Sequence, residues 1–169
     1  ADPPGGRAPL SDPLLSSVAE SLLDRLDDVT RSFPRALFVG APAAYCVARL
    51  RGRGGVELGA SAALTDGDSD AFRYAARLAG GPGAGADGFA VLSGGEEALA
   101  DRTLLPDASH DLVVACMGLH WANDLVAAVA HCRRILRPDG LFLAALLGGE
   151  TLCELRAACA LAEMEREGG

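Results

Sequence analysis

The first regular pattern in the chain is a stripe of apolar residues that recur every three or four positions between residues 11 and 33. The stripe consists of Leu14, Leu15, Val18, Leu22, Leu26 and Val29. This spacing predicts an amphipathic helix, because residues three and four apart share one helix face. Ser11 or Asp12 is placed to act as its N-cap, and Pro13 follows at the first helical position, where proline is tolerated.

Five short apolar runs predict β-strands, at residues 35–39, 55–59, 88–93, 111–117 and 140–147. Helical patterns lie between them, in "AAYCVARLRG", which Gly52 ends, more weakly in "SDAFRYAARLAG", and in "DLVAAVAHCRRILR", which "RPDG" stops. "GGPGAGADG" is expected to form a flexible loop, and a last helix covers 151–167. Strands that alternate with helices predict an α/β protein, with a parallel sheet and helices on both of its faces.

Composition narrows the possible classes of protein. At 169 residues, half of them apolar, the chain is large enough for one packed domain, which we place at 11–169 behind an extended, Pro/Gly-rich segment at 1–10. The net charge of −8 argues against nucleic acid as the main partner, because phosphate binding needs clustered Lys and Arg. No apolar run reaches the roughly 20 residues that span a bilayer. A start at Ala1 without Met is typical of a processed form.

Neither the cysteines nor the histidines are spaced as metal ligands. The five cysteines contain no Cys-x-x-Cys pair, and no His or Cys pair has the spacing of a zinc site. We therefore expect no metal, and we expect His110 and His131 at the surface. The cysteines are expected to act as small buried apolar residues. They are Cys46, Cys116, Cys132, Cys153 and Cys159.

The segment "RALFVGAPAAYC" at residues 35–46 predicts a strand, a tight turn and a helix, which is the order of elements in nucleotide-binding proteins. Glycines normally fill such a turn, because they let the backbone approach a ligand closely. Here the turn reads Gly-Ala-Pro-Ala-Ala. The segment is therefore either an unusual cofactor site or the remnant of one.

Four stretches of the sequence carry a family resemblance: "LLDRLDDVTRSFPRAL", "DLVVACMGLHWANDL", "RRILRPDGLFLAALLGGETLCELRAA" and "LAEMEREGG". They resemble the class I S-adenosylmethionine methyltransferase-fold proteins that assist assembly of mitochondrial respiratory complex I, most nearly the member that hydroxylates an arginine of a complex I subunit. A bacterial malonyl-carrier-protein methyltransferase shares "LHW" and "TL-x-ELR" more loosely. The resemblance is strong after Asp111, fair before Leu37 and weak between Phe38 and Asp107. It implies a truncated Rossmann-like fold with strand order 3-2-1-4-5.

The chain departs from this family in the cofactor loop. The resemblance implies an acidic residue followed by glycines in a D-x-G-x-G-x-G pattern, and the matching positions are Phe38, Gly40, Pro42 and Ala44. The acidic residue expected at the end of the second strand, for the ribose hydroxyls, falls at or near Gly59. Because Gly40 alone keeps the family's residue, and because proline lacks an N–H, we expect no functional cofactor site. Phe38 is expected to point into the space of the ligand's polar tail.

The roles of other family positions are also expected to differ here. The resemblance places His120 and Trp121 beside the substrate pocket, yet a packing role is expected for the lone tryptophan. Asp124 is expected to cap the following helix. The resemblance also sets three acidic residues near the adenine edge of the cofactor, where a solvated helix face is expected instead: Glu96, Glu97 and Asp101.

The last predicted strand raises the question of what covers it. Family members continue past "EREGG" with a helix and two further strands, so strand 140–147 is expected at a sheet edge here. Its run of leucines is nevertheless typical of an interior strand. We therefore expect another polypeptide to lie against 140–150 and the helix 151–167, which would make the chain part of an obligate hetero-oligomer.

Two functions are consistent with these observations. The first is a non-catalytic structural or accessory subunit of a mitochondrial multiprotein complex, in the matrix or on the matrix side of the inner membrane, without a cofactor. Respiratory complex I is the first choice, and a mitochondrial ribosome or another large assembly stays open. The second is an active hydroxylase or methyltransferase in complex I assembly, using S-adenosylmethionine through an unusual loop, or one half of a split protein with that activity.

Overall fold

A computed structural model describes residues 12–51, 56–65 and 89–167. The elements in chain order are α1 (Pro13–Leu23), a 3-10 turn (Asp24–Leu26), β1 (Arg31–Val39), α2 (Ala43–Arg51), β2 (Val56–Thr65), β3 (Phe89–Ser93), α3 (Glu96–Ala100), β4 (His110–Cys116), a second 3-10 turn (Leu119–Trp121), α4 (Leu125–Ile135), β5 (Leu136–Ala145) and α5 (Cys153–Glu167). The extended segment 1–10, the weak helix in 69–80 and the loop 80–88 lie outside the described residues, so the proposed domain boundary stays a prediction.

The five strands form one parallel sheet in the order β3-β2-β1-β4-β5, which confirms the topology expected from the sequence. Every residue of β4 is buried, because helices cover it from both sides. On one face α1 and α2 pack over Phe33, Phe38 and Val114. On the other face α4 and the segment after α3 pack over Leu37 and Val113. The sheet therefore has the three-layer arrangement of a Rossmann-like fold.

The second strand is longer than the sequence indicated. β2 was expected to end at Gly59, and it continues to Thr65. Gly59 lies against β1 at the one position where Pro34 interrupts the pairing, and a Cβ on Gly59 would stand 2.4 Å from the Pro34 carbonyl oxygen. The glycine therefore allows the close approach of two strands and does not mark a turn. β1 is also longer, because it begins at Arg31 instead of residue 35.

The last strand begins earlier than expected and contains an irregularity. "RPDG" does not form a separate loop, since α4 ends at Ile135 and β5 starts at Leu136. Pairing with β4 passes from His110–Leu136 directly to Leu112–Leu141, so 137–140 bulge out of the sheet. Asp139 has a φ of 63° there. This edge strand is consequently protected in its first half by a proline and a bulge, and it is regular only over 141–145.

Helix ends follow the sequence in two cases and differ in a third. The Asp12 carboxylate accepts hydrogen bonds from the Leu14 and Leu15 N–H groups, at 2.9 and 3.3 Å, and so caps α1 as expected. Asp124 likewise caps α4 by accepting from Ala127 N–H at 2.9 Å. α5 begins at Cys153, two residues later than expected, because Leu152 has a φ of 59°.

α5 is the element least packed against the sheet. Residues 154–166 are all exposed, and Leu155, Leu161 and Met164 each expose more than half of their surface. β5 has β4 as its strand neighbour, and a groove of about 770 Å³ lies between β5 and α1. No helix in the described part of the chain is long and apolar enough to cross a membrane.

His110 was expected at the surface, and this prediction is wrong. The residue begins β4 and is buried, with its Nδ1 2.8 Å from the Ser109 hydroxyl oxygen. That hydroxyl donates to the Pro106 carbonyl oxygen, so the imidazole acts as the donor in the contact. Burial, with Arg35 nearby, lowers the pKa of His110 to about 4. The imidazole is therefore neutral at physiological pH.

Candidate functional site

A cavity of about 580 Å³ opens at the carboxyl ends of the strands, where open α/β sheets bind ligands. It is built from the last residues of β1 and β2 and from residues that follow β1, β3 and β4. Its walls combine apolar and polar groups, with Thr65, Glu96 and Glu97 on the side where β2 and β3 end. The lining residues are Val39, Gly40, Ala41, Leu64, Thr65, Gly94, Gly95, Glu96, Glu97, Leu99, Met117, Gly118, Leu119, Trp121, Ala122 and Asn123.

Two glycines shape the floor of this cavity. Gly40 has a φ of +110° and donates its N–H to the Leu64 carbonyl oxygen at 3.0 Å. A Cβ on Gly40 would lie 2.4 Å from the Cys116 carbonyl oxygen, and a Cβ on Gly118 would lie 2.7 Å from the Gly40 Cα. The ends of β1 and β4 therefore meet backbone to backbone. The close packing of the two strand ends is enough to require glycine at position 40, whether or not a ligand binds nearby.

Phe38 does not face the cavity, and the expectation that it would is wrong. Its ring is fully buried on the opposite face of β1, in the cluster that α1 and α2 cover. Neighbouring strand residues point to opposite faces, so it is Val39 that lines the cavity. Among the described residues, Phe38 therefore leaves the space of the ligand's polar tail to Val39, Gly40 and Ala41.

The turn after β1 brings no polar side chain to the cavity, since its lining residues are Gly40 and Ala41. Pro42 is buried and has no N–H, and its carbonyl oxygen accepts from Cys46 N–H at 2.9 Å as α2 begins. Ala44 belongs to the first turn of α2. Ala41 lines the cavity. Any hydrogen bond to a ligand from this side of the cavity would therefore come from the backbone.

β2 ends six residues later than expected, so Gly59 is not the position from which the family's acidic residue would contact the ribose. Gly59 sits in the middle of the strand, so it is not the strand-end position. The strand ends at Thr65, which lines the cavity, and Asp66 follows in the sequence, outside the described residues. An acidic residue thus comes directly after the second strand. Sequence reasoning missed Thr65 because the Ala-rich run "ASAALT" has little strand character.

Glu97 and Asp101 are exposed, as expected, whereas Glu96 is half-buried; Glu96 and Glu97 also line the cavity. The Glu96 carboxylate accepts a hydrogen bond from the Asn123 side-chain amide at 2.9 Å. Glu97 accepts from Gly95 N–H at 3.0 Å, and bonds to backbone N–H groups, its own and that of Gly95, lower the pKa of its carboxyl. Asp101 instead accepts from Thr103 and Leu104, which lowers its pKa and holds the turn after α3.

His120 and Trp121 lie on the 3-10 turn after β4, and Trp121 lines the cavity. Their ring centroids are 4.9 Å apart with the planes tilted by 43°. Trp121 is 81% exposed, so the expected packing role is wrong. Its exposure depends on the direction in which this short turn leaves the strand, which no sequence pattern specifies.

Three polar atoms around the cavity are buried without a hydrogen-bond partner among the described residues. They are Thr65 Oγ1, Glu96 Oε2 and His120 Nδ1. Buried polar atoms in proteins are nearly always paired, with protein, water or a ligand. Two of the three atoms belong to residues that line the cavity. The β2–β3 side of the cavity is thus the side equipped to hold a polar ligand group.

The cysteines offer no alternative chemistry in the described part of the chain, and they fit the expectation only in part. All five are free thiols; Cys46, Cys116 and Cys132 are buried, whereas Cys153 is half-buried and Cys159 is exposed. A hydrogen bond with Cys116, together with burial, raises the pKa of Cys46, which keeps that thiol protonated. No group of three metal-binding side chains lies together within 12–51, 56–65 and 89–167.

The described lining offers polar side chains to one end of S-adenosylmethionine and none to the other. Its nucleoside end needs hydrogen-bond partners, which Thr65 and Glu96 offer. Its amino-acid end carries both an ammonium and a carboxylate, and the lining residues of the β1 turn, Val39, Gly40 and Ala41, have no polar side chain. The charged end of the cofactor would therefore have only backbone groups, and no charged side chain, to pair with in this turn.

The comparisons with known proteins agree with the fold. A family model described as "Methyltransferase domain" matches residues 53–144. "Arginine-hydroxylase NDUFAF5, mitochondrial" is 36% identical in Danio rerio and 35% in Homo sapiens, each over 94% of this chain. The chain spans only 44% and 41% of those relatives.

Solved structures show the same fold at lower identity. A putative methyltransferase in complex with the Trm112 methyltransferase activator of Haloferax volcanii aligns with a TM-score of 0.58 and 24% identity, over 76% of this chain and 50% of that one. A putative S-adenosylmethionine-dependent methyltransferase of Methanococcus maripaludis aligns with a TM-score of 0.52 and 20% identity, over 94% of this chain and 67% of that one. Because the family model matches more than half of the residues of this chain, the chain belongs to the methyltransferase domain family.

Proposed function

We propose that the chain serves the assembly of mitochondrial respiratory complex I through protein contacts, without using S-adenosylmethionine. The observation that carries the proposal is the β1 turn. The acidic family position, Phe38, is buried in the core, and the next two glycine positions are Pro42 and Ala44. A ligand ammonium or carboxylate placed there would lose its hydrogen bonds, at about 1.5–3 kcal/mol for each charged contact. A micromolar site is worth only about 8 kcal/mol.

The partner side of the proposal rests on the face formed by β5 and α5. The relatives are named mitochondrial. The resemblance of this chain to complex I assembly proteins suggests the matrix or the matrix side of the inner membrane. The leucines of α5 are exposed, and the groove beside β5 is open. Exposed apolar surface of this kind is typical of sites covered by another polypeptide segment.

The cofactor part is tested by calorimetric titration of the full chain with S-adenosylmethionine and S-adenosylhomocysteine. We expect no binding at high micromolar concentrations. Restoring the turn with Pro42→Gly and Ala44→Gly should bring measurable affinity, because the backbone regains an N–H and can approach the ligand. Ala157→Gly makes the same chemical change on exposed α5 and should have no effect. A dissociation constant below about 100 μM for the unaltered chain would overturn the proposal.

The partner part is tested by purifying the tagged chain from mitochondria and identifying the proteins that accompany it. We expect complex I subunits or assembly intermediates, and we expect Leu161→Glu on α5 to weaken their recovery. Glu163→Gln on the same helix is the control. Recovery of mitochondrial ribosomal proteins in place of complex I components would contradict the choice of complex.

An active enzyme is the second candidate, and one observation favours it. The cavity is open, it contains the unpaired Thr65 hydroxyl, and an acidic residue follows β2 after all. Under this hypothesis the chain would be a hydroxylase or methyltransferase, alone or with a further polypeptide that completes the sheet. Tight binding of S-adenosylmethionine in the titration above would favour it.

A further inference from the structure

One side of β5 has no neighbouring strand in the part of the chain that the structure describes, because β5 is the last strand of the sheet. Met117 N–H donates to the Ala145 carbonyl oxygen at 3.0 Å, so the N–H and C=O groups of Ala145 point towards β4. Successive residues of a strand point these groups to opposite sides. Leu143 therefore also faces β4, whereas Phe142 and Ala144 present their N–H and C=O groups to the open edge.

The usable part of this edge is short and clearly bounded. Residues 137–140 bulge out of the ladder, and Pro138 has no N–H, so the first half of β5 is protected against pairing. Residues 141–145 are regular and contain neither a charged residue nor a proline, the usual means of blocking an edge strand. Their length is that of an ordinary strand, so they can pair with one further strand of normal size.

The groove beside this edge has α1 and the 3-10 turn after it as its second wall. Ser17, Ser21 and Arg25 line the groove, each about one helical turn from the next, and all three are exposed. Val18 and Leu22 line it as well and are apolar. Arg25 is the ionisable residue among the described lining residues. The wall is thus an apolar surface with a polar row that ends in a positive charge.

The positive charge lies at a defined end of the groove. β1 begins at Arg31, shortly after Arg25 in the chain, and the Arg31 guanidinium donates to the Asp139 carbonyl oxygen at 2.6 Å. Arg25 therefore lies towards the beginning of β5, and Ser17 lies towards its end. A segment bound along β5 would meet the positive charge at one of its ends, which favours an acidic residue there.

We propose that the groove binds one extended segment of a partner protein, which adds a strand to β5, carries apolar residues at alternate positions and places an acidic residue beside Arg25. Backbone hydrogen bonds to Phe142 and Ala144 supply affinity, and alternate side chains that pack on Val18 and Leu22 supply specificity. A helix pairs its own backbone groups and would leave those of the edge without partners. An exposed ion pair adds little affinity, so Arg25 sets the direction of the segment. The proposal rests on the proposed function, since it specifies the partner contact of β5.

The test titrates the full chain with two fluorescein-labelled, capped peptides, Glu-Val-Thr-Val-Thr-Val and Val-Thr-Val-Thr-Val-Glu, and records fluorescence anisotropy. The two peptides allow for either strand direction, and we expect saturable binding of one of them. N-methyl groups are then placed on one alternate set of its amides or on the other. Methylation of the set that faces β5 should abolish binding, and methylation of the other set should preserve it. Failure of both peptides to bind, or an equal effect of the two methylations, would overturn the proposal.

Variants of the chain locate the contact. Ala144→Pro removes an edge-facing N–H and should abolish binding, whereas Ala144→Thr keeps that N–H and should bind normally. Arg25→Gln should weaken the acidic peptide about twofold to fivefold, the range of an exposed ion pair, and should not affect the same peptide with Gln in place of Glu. Arg133→Gln makes the same change on exposed α4 and should have no effect. An equal loss in Arg25→Gln and Arg133→Gln would contradict the assigned direction.

Amide hydrogen exchange reads the edge directly in the chain alone. The amides of Phe142 and Ala144 should exchange at least about tenfold faster than those of Leu143 and Ala145, and the bound peptide should slow them. If the Ala144 amide is already protected, the edge is paired within the chain and the proposal fails. If light scattering shows a dimer that Ala144→Pro dissociates, a second copy occupies the edge and the partner segment is excluded.

Recovery of proteins from mitochondria separates this proposal from the proposed function. If tagged Ala144→Pro recovers complex I components as well as the unaltered chain does, while Leu161→Glu loses them, the strand site fails and the proposed function stands. If the peptide binds as expected and no complex I component is recovered with the unaltered chain, the proposed function fails and the strand site stands. Loss of recovery in Ala144→Pro but not in Ala144→Thr supports both.

Discussion

Replacing Arg134 by methionine tests the connection between α4 and the segment that follows α3. The Arg134 guanidinium donates to the Leu99 carbonyl oxygen at 2.7 Å and to the Leu105 carbonyl oxygen at 2.9 Å, and it pairs with Asp107. Only 13% of the Arg134 side chain is exposed. Methionine keeps most of the apolar stem but removes every donor, so both carbonyl groups lose this partner.

The expected cost follows from these contacts. A buried carbonyl left without a partner costs about 1–3 kcal/mol, and the half-exposed pair with Asp107 adds less than about 1 kcal/mol. We therefore expect Arg134→Met to lower the free energy of unfolding by about 3 kcal/mol. Domains of this size have about 5–15 kcal/mol in total, so the loss is a large fraction.

Urea unfolding followed by circular dichroism measures the effect, and the midpoint should fall by about 1–2 M. Arg133→Met, at the exposed neighbouring position on the same helix, is the control and should change stability by less than about 0.5 kcal/mol. Hydrogen exchange should show faster opening of 99–109 in Arg134→Met. If both variants unfold at the same midpoint, Arg134 does not hold this segment and the reasoning is refuted.

Three further predictions concern single residues. Burial lowers the pKa of His110 to about 4, whereas a histidine in the unfolded chain has a pKa of about 6.5, so between these values the unfolded chain binds one more proton than the folded chain. The free energy of unfolding should therefore be highest above pH 6.5 and fall by on the order of 2 kcal/mol by pH 4. In urea titrations His110→Phe should flatten this pH dependence. Gly40→Ala should lower the free energy of unfolding by more than about 2 kcal/mol, because the residue has a φ of +110° and the new Cβ would lie 2.4 Å from the Cys116 carbonyl oxygen. Gly148→Ala is the control in thermal unfolding and should be neutral, since nothing lies within 4 Å of its Cβ position. In the folded chain a thiol reagent should label exposed Cys159 first and buried, protonated Cys46 only on unfolding; labelling of both at one rate would contradict the packing described.

The fold was largely predictable from the sequence because its signals are repeated along the chain. Apolar runs alternating with amphipathic helices specify a parallel sheet, and the family resemblance added the strand order, which the structure confirms. The caps at Asp12 and Asp124 were identified because a short acidic side chain before an apolar periodic stretch has one main use. The boundary at Gly59 was misplaced because its close approach to Pro34 is a contact between distant residues.

The site was less predictable, for a related reason. Which face of β1 carries Phe38 depends on the register of the strand, and a one-residue difference moves a side chain from the cavity into the core. Glu96 and Glu97 were noticed as acidic residues, but their orientation depends on the bonds that Asn123 and Gly95 make with them. Exposure of Trp121 likewise depends on a three-residue turn. Sequence patterns report periodicity, and these features are not periodic.

The exposed state of α5 has a thermodynamic consequence for the whole chain. An isolated helix shorter than about 12–15 residues is marginal in water, and α5 has 15 residues with little packing to support it. Its helix–coil equilibrium is therefore nearly independent of the cooperative unfolding of the sheet. On heating, circular dichroism should show a gradual loss of helix before the sheet unfolds, so the chain would not behave as a two-state system. A partner that covers α5 would merge the two processes into a single transition.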